Sequence, residues 1–184
     1  MMDRAGIKRY EAKKRLRHME DFCQITEHMT ENKYRGSMEL VAKNLRRYSA
    51  APGYDLSILL DTAVFIFLTG NSDMHLKNFS LIYDGGERRL APAYDLLSTR
   101  LVIPAKDDPE EFAMPMNGKK SNFKEADFLK FTESAGLNEK HYKRAASSGD
   151  VRPCRPVYHA LALPLAASFI HRHSGQRSAI VATA

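Results

Sequence analysis

A chain of 184 residues with a hydrophobic share of 43% and a charged share of 27% has the makeup of one globular domain, or of one lobe of a larger enzyme. The formal charge of +6 does not mark a nucleic-acid binder, because from Val151 onward there are four Arg and no Asp or Glu, leaving 24 basic against 22 acidic side chains, or +2, in residues 1–150. Two cysteines, Cys23 and Cys154, make neither a disulfide framework nor a metal knuckle, so a reducing cytoplasm is the expected compartment.

The first 17 residues are mostly basic and polar, with no apolar run behind their charges. They read as a loop or ragged strand end rather than a signal peptide. HMEDFCQITEHM follows with helical spacing at Met19, Phe22, Cys23, Ile25 and Met29. Ser37 is placed to cap a second helix, with Met38, Val41, Ala42 and Leu45 on one face and Ala51-Pro52-Gly53 as its stop. Asp55 reads as the N-cap of the strongest helix. There Leu56, Leu59, Leu60, Ala63, Val64, Phe67 and Leu68 keep the helical series, while Ile58, Phe65 and Ile66 make the other side apolar too. Such a helix is expected to be buried nearly all round and to end at Gly70. Its apolar stretch, Ile58 to Thr69, contains Asp61 and falls short of the about 20 residues a bilayer requires.

After Gly70 the period changes from helical to alternating. Phe79 to Tyr83 reads as a strand, Asp84-Gly85-Gly86-Glu87 as a tight turn, and Arg88 to Ala91 as the returning strand. Pro92 closes the hairpin and Ala93-Tyr94-Asp95-Leu96-Leu97 leaves it. Residues 107–110 read as a solvated loop, Phe112 to Met116 as an extended piece and Asn117-Gly118 as a turn. Phe123 to Ala135 is an amphipathic helix stopped by Gly136, and Asn138 starts another. From about Lys143 the chain turns rich in Ala, Arg, Pro, His and Ser, and Pro153, Pro156 and Pro164 interrupt every candidate helix, as in a poorly structured tail.

The chemistry-bearing segment is Asn71-Ser72-Asp73-Met74-His75-Leu76-Lys77-Asn78, followed by the hairpin and Tyr94-Asp95. Phosphoryl transfer from ATP needs a carboxylate to orient and deprotonate the attacking hydroxyl, and oxygen ligands to hold Mg²⁺ against the phosphates. An Asp followed five residues later by an Asn on one loop, with a second Asp returned by a hairpin, meets that need. Asp73 is the candidate base, and Asn78 and Asp95 are the candidate metal ligands. His75 reads first as a loop brace and second as a ligand or acid. Lys77 reads equally as a phosphate-facing charge or a solvated side chain.

NSDMHLKNFSLI and RLAPAYDLLST resemble the catalytic-loop and metal-binding segments of HipA-like toxin kinases, and HMEDFCQITEH and KYRGSMELVAKNLRRYS resemble the helices ahead of them. The resemblance covers roughly residues 3 to 142. It implies a mainly helical α+β fold, the carboxyl lobe of a protein-kinase-like enzyme with a small β-hairpin at the active site. It implies ATP and Mg²⁺ as cofactors, a protein Ser or Thr hydroxyl as acceptor, and a HipB-like antitoxin as partner. Residues 1–17 would then be a remnant of the hinge, 18–142 the lobe, and 143–184 an atypical tail. The family places a β-rich lobe with a phosphate-covering loop upstream. A chain opening at Met1 is therefore expected to turn over poorly unless another chain supplies that lobe. The family would continue after His141 with acidic helices, so the acid-free terminus is what a frame shift or recombination would produce. Two rival classes are a non-catalytic module that titrates the antitoxin and a small-molecule phosphotransferase, which shares the D-x-x-x-x-N spacing.

Overall fold

The computed structural model describes residues 17–147. The elements run β1 (His18–Asp21), α1 (Phe22–Ile25), α2 (Met38–Tyr48), α3 (Pro52–Thr69), β2 (Ser80–Asp84), β3 (Glu87–Leu90), α4 (Glu125–Ser134) and α5 (Glu139–Ala146), with short 3₁₀ turns at Thr30–Asn32, Leu76–Asn78 and Thr99–Leu101. The architecture is mainly helical with one small antiparallel sheet of order β1-β2-β3.

α3 organises the molecule. Pro52 sits at its first turn, where the missing N–H is no loss. Gly70 closes it at φ +66°, a conformation that glycine adopts without a Cβ clash. Every residue from Asp55 to Thr69 is buried. On length and composition alone this helix could cross a bilayer, but its apolar surface is covered by the protein's own elements, with α2 and α5 packed against it. Each Leu or Phe so covered contributes about 1.5–3 kcal/mol relative to exposure. α2 meets it with Met38, Val41, Ala42 and Leu45, the face that the sequence predicts, and Ser37 caps α2 by accepting from the Leu40 N–H at 3.1 Å. On the far side Phe67, Phe112, Phe123 and Phe128 form a tilted aromatic cluster. Phe112–Phe123 centroids lie 4.7 Å apart, and Tyr142 of α5 stacks on Phe128 at 6.2 Å. α4 ends at Gly136 (φ +69°) and α5 starts from Asn138, both as expected.

Three local expectations are corrected. HMEDFCQITEHM is not one helix: His18–Asp21 pairs with β2 in register His18↔Tyr83 to Asp21↔Ser80, and only Phe22–Ile25 is helical. Asp21 makes the switch, since its Oδ1 accepts from the Gln24 N–H at 2.9 Å while the Gln24 side chain accepts from the Asp21 N–H at 3.0 Å. Asp55 is not an N-cap. It lies inside the first turn of α3 and receives the Ser49 hydroxyl at 2.5 Å, the Leu90 N–H at 2.9 Å and the Arg89 guanidinium at 3.0 Å. The stretch 112–116 forms no strand beyond a bridge from Met116 to Lys119. Residues 148–184, including the Pro-broken stretch, lie outside the described residues.

Candidate active site

Three segments converge at the C-terminal end of α3. The first is the loop 71–78 that α3 delivers. Asn71 is buried, and its side chain bridges outward: Oδ1 accepts from the Asp73 N–H at 3.2 Å, and Nδ2 donates to the Asp95 carbonyl at 3.2 Å. The second is the segment leaving β3. Pro92 through Leu97 has no repeating secondary structure, and Asp95 sits at φ +56°, where a side chain other than glycine costs roughly 1 kcal/mol. The third is the turn before α2, which carries Tyr34.

Asn78 and Asp95 are in direct contact, the amide Nδ2 donating to Asp95 Oδ2 at 2.7 Å. Asn78 is buried, and its Oδ1 also accepts from the His75 N–H at 3.1 Å, which fixes the amide plane. Asp73 is exposed on the same loop. Its Oδ1 takes the Tyr34 phenol at 2.7 Å, and that bond pushes the Tyr34 hydroxyl up to about 12. The backbones of the two acidic residues are tied to the buried Asn71, Asp73 through its N–H and Asp95 through its C=O.

His75 is buried and its Nδ1 has no partner among the described residues. Its ring meets the Tyr34 ring edge-on at 5.0 Å. Burial, with the nearby Lys33 charge, holds its pKa below the ordinary value, so the imidazole is neutral at pH 7. The backbone of His75, not its ring, braces the loop. The Lys77 ammonium lies 3.3 Å from Asp21 Oδ2 at the end of β1, and the Lys77 carbonyl accepts the Tyr94 hydroxyl at 2.5 Å. Tyr94 also touches the Ser80 hydroxyl at 2.6 Å, which stitches the Asp95 segment to β2.

Sequence spacing identifies Asp73, Asn78 and Asp95 but misses Tyr34 and Asn71. Tyr34 is 39 residues from Asp73, so no local pattern joins them. Asn71 stands in the quoted motif, and an amide two residues ahead of the Asp is the signal for an Asx-type brace.

A magnesium ion fits this donor set. Among the described residues no three His, Cys, Asp or Glu side chains cluster, which excludes a self-contained protein cage there. Mg²⁺ in phosphotransferases uses one or two protein oxygens, the rest coming from phosphates and water. The exposed Asp95 carboxylate and the Oδ1 of the buried Asn78 beside it are oxygens of that kind.

The fold is that of a kinase-like HipA structure. The HipA chain of the Shewanella oneidensis MR-1 toxin–antitoxin complex of HipA, HipB and operator DNA matches 91% of this chain at a TM-score of 0.62 and 18% identity. The chain belongs to the family of HipA-like C-terminal domains, whose model matches residues 2–151. Two Sinorhizobium fredii proteins are similar in sequence: "Putative kinase Y4mE", 39% identical over 65% of this chain, and "Putative kinase Y4dM", 40% identical over 49% of it. The chain covers 29% and 22% of those two relatives and 46% of the Shewanella chain.

Proposed function

We propose that this chain forms the catalytic-loop side of a serine/threonine kinase site, transferring the γ-phosphoryl group of ATP to a protein hydroxyl. The observation that carries the reading is the 2.7 Å contact between Asn78 and Asp95 beside an exposed Asp73 on the same loop. Asp73 orients the acceptor hydroxyl and takes its proton. Asn78 Oδ1 and Asp95 offer hard oxygens to Mg²⁺, which when bound offsets the charge of the phosphates. Asn71 ties the backbones of Asp73 and Asp95 together, and the Asn78–His75 bond fixes the plane of the amide. His75 and Lys77 are weaker contributors to nucleotide binding. Burial lowers the His75 pKa and disfavours its charged form, and Lys77 already faces Asp21.

The family and the kinase names of its relatives support this reading. The Shewanella complex supports a HipB-like antitoxin as a partner and a toxin–antitoxin role in the cytoplasm, where the buried thiol of Cys23 stays reduced. The test is transfer of labelled γ-phosphate from Mg-ATP to dephosphorylated casein, followed by phosphoamino-acid analysis. Label on Ser or Thr that vanishes with Asp73→Asn is the expected result. Retained labelling in that variant removes Asp73 as the base. Mg-ATP binding without any transfer, together with tight association with a HipB-like protein, favours a non-catalytic antitoxin-binding module instead.

A further inference from the structure

We infer that Tyr34 is a positioning residue for Asp73, its phenol holding one carboxylate oxygen so that the other faces the acceptor hydroxyl. The inference rests on the kinase reading above and adds a residue that the D-x-x-x-x-N pattern does not contain.

Asp73 is exposed on a loop, and a carboxylate in that setting rotates among several χ rotamers unless something holds it. The Tyr34 hydroxyl donates to Oδ1 at 2.7 Å, a charge-assisted bond stronger than a neutral pair. Among the described residues the Asp73 carboxylate takes no other hydrogen bond, so Oδ2 is left for an incoming hydroxyl. The phenol is itself held in place. Its ring lies edge-on to the buried His75 ring at 5.0 Å, and the Lys33 ammonium stands 5.0 Å from the ring centroid.

The turn that carries Tyr34 is fastened to the loop that carries Asp73 at two further points. The Leu76 N–H donates to the Lys33 carbonyl at 3.2 Å. Gly36 lies against the fully buried Leu76 so closely that a Cβ there would fall 2.6 Å from Leu76 Cδ2. Tyr34 therefore moves with the Asp73 loop, which a positioning residue must do. The buried His75 imidazole beside it forms one wall for the phenol.

The experiment compares the full chain with Tyr34→Phe and Asp73→Asn, the phenylalanine keeping the ring contacts. Initial rates of phosphate transfer to casein are measured against Mg-ATP, with thermal melts on each protein. The expected result for Tyr34→Phe is a fall in kcat of about tenfold or more, with KM for Mg-ATP within about twofold and Tm unchanged. A tyrosinate titration in the near ultraviolet reads the contact without needing activity: of the two phenols pushed up to about 12 in the parent, Tyr34 and the buried Tyr142, one returns toward the ordinary tyrosine range in Asp73→Asn. Wild-type kcat in Tyr34→Phe overturns the inference. So does a loss shared between kcat, KM and Tm, which marks a structural role alone. If the parent transfers no phosphate even with a relative's β-rich lobe supplied in trans, the kinase reading fails and the positioning role falls with it, even where the titration shows the contact. If the parent is active and Asp73→Asn returns no phenol toward the ordinary range, only the inference fails.

Discussion

Asp95 combines two demands that conflict. Its backbone occupies the left-handed region at φ +56°, a conformation tolerated best by Gly, Asn and Asp. Its carboxylate must also reach Asn78. Asp95→Asn satisfies the first demand and weakens the second. We expect that variant to fold with a stability change of about 1 kcal/mol or less and to lose Mg²⁺-dependent nucleotide binding, as checked by denaturant titration and calorimetry. Asn71→Ala acts oppositely: it removes no candidate ligand, yet unties Asp73 and Asp95 together and leaves the Asp95 carbonyl and Asp73 N–H without their brace. A cost of about 1–3 kcal/mol is expected. His75 adds a pH dependence. Its native pKa is lowered by burial and by Lys33, while Asp73 and Asp95 oppose that shift. Between the native value and the unfolded value of about 6.5, the unfolded chain binds more protons, so stability falls as pH drops through that window. The fall stops below the native pKa, where both states are charged. His75→Gln should flatten this limb in denaturation curves recorded between about pH 7 and pH 5.

Asp55 shows how an acidic residue at the start of a helix can be misread. Its position in sequence suits a cap, but its carboxylate is fully buried and gathers Ser49, Arg89 and the Leu90 N–H from β3. It fastens α3 to the sheet. Removing it leaves a guanidinium and a backbone N–H unpaired, so Asp55→Ala should cost about 3–5 kcal/mol, read as a large drop in Tm. β1 was hidden for a related reason. Met19, Phe22, Cys23, Ile25 and Met29 fit a helical period, yet strand pairing with β2 outweighs local pattern for His18–Asp21. By contrast α2, α3, the β2–β3 hairpin and the start of α5 were legible. Each combines a strong period with a cap, a glycine stop or a Gly-Gly turn, and those signals are local. The site was legible where its residues share one loop and a hairpin. Tyr34 comes from a distant turn, and only tertiary packing brings it in.

Across the described residues, the polar machinery is concentrated at one end of an apolar helix and the aromatic cluster lies to its side. α5 is tied to α3 by Arg144, whose guanidinium meets the buried Asp61 at 3.0 Å. The Gly36–Leu76 contact links this packing to the active end. Gly36→Ala forces Leu76 aside within a filled core, a change of the overpacking kind that costs about 1–3 kcal/mol, visible in a thermal melt. A single methyl group there would loosen the end of the fold that carries Asp73. Every ionisable side chain would remain present, and a scan for broken motifs would report an intact gene.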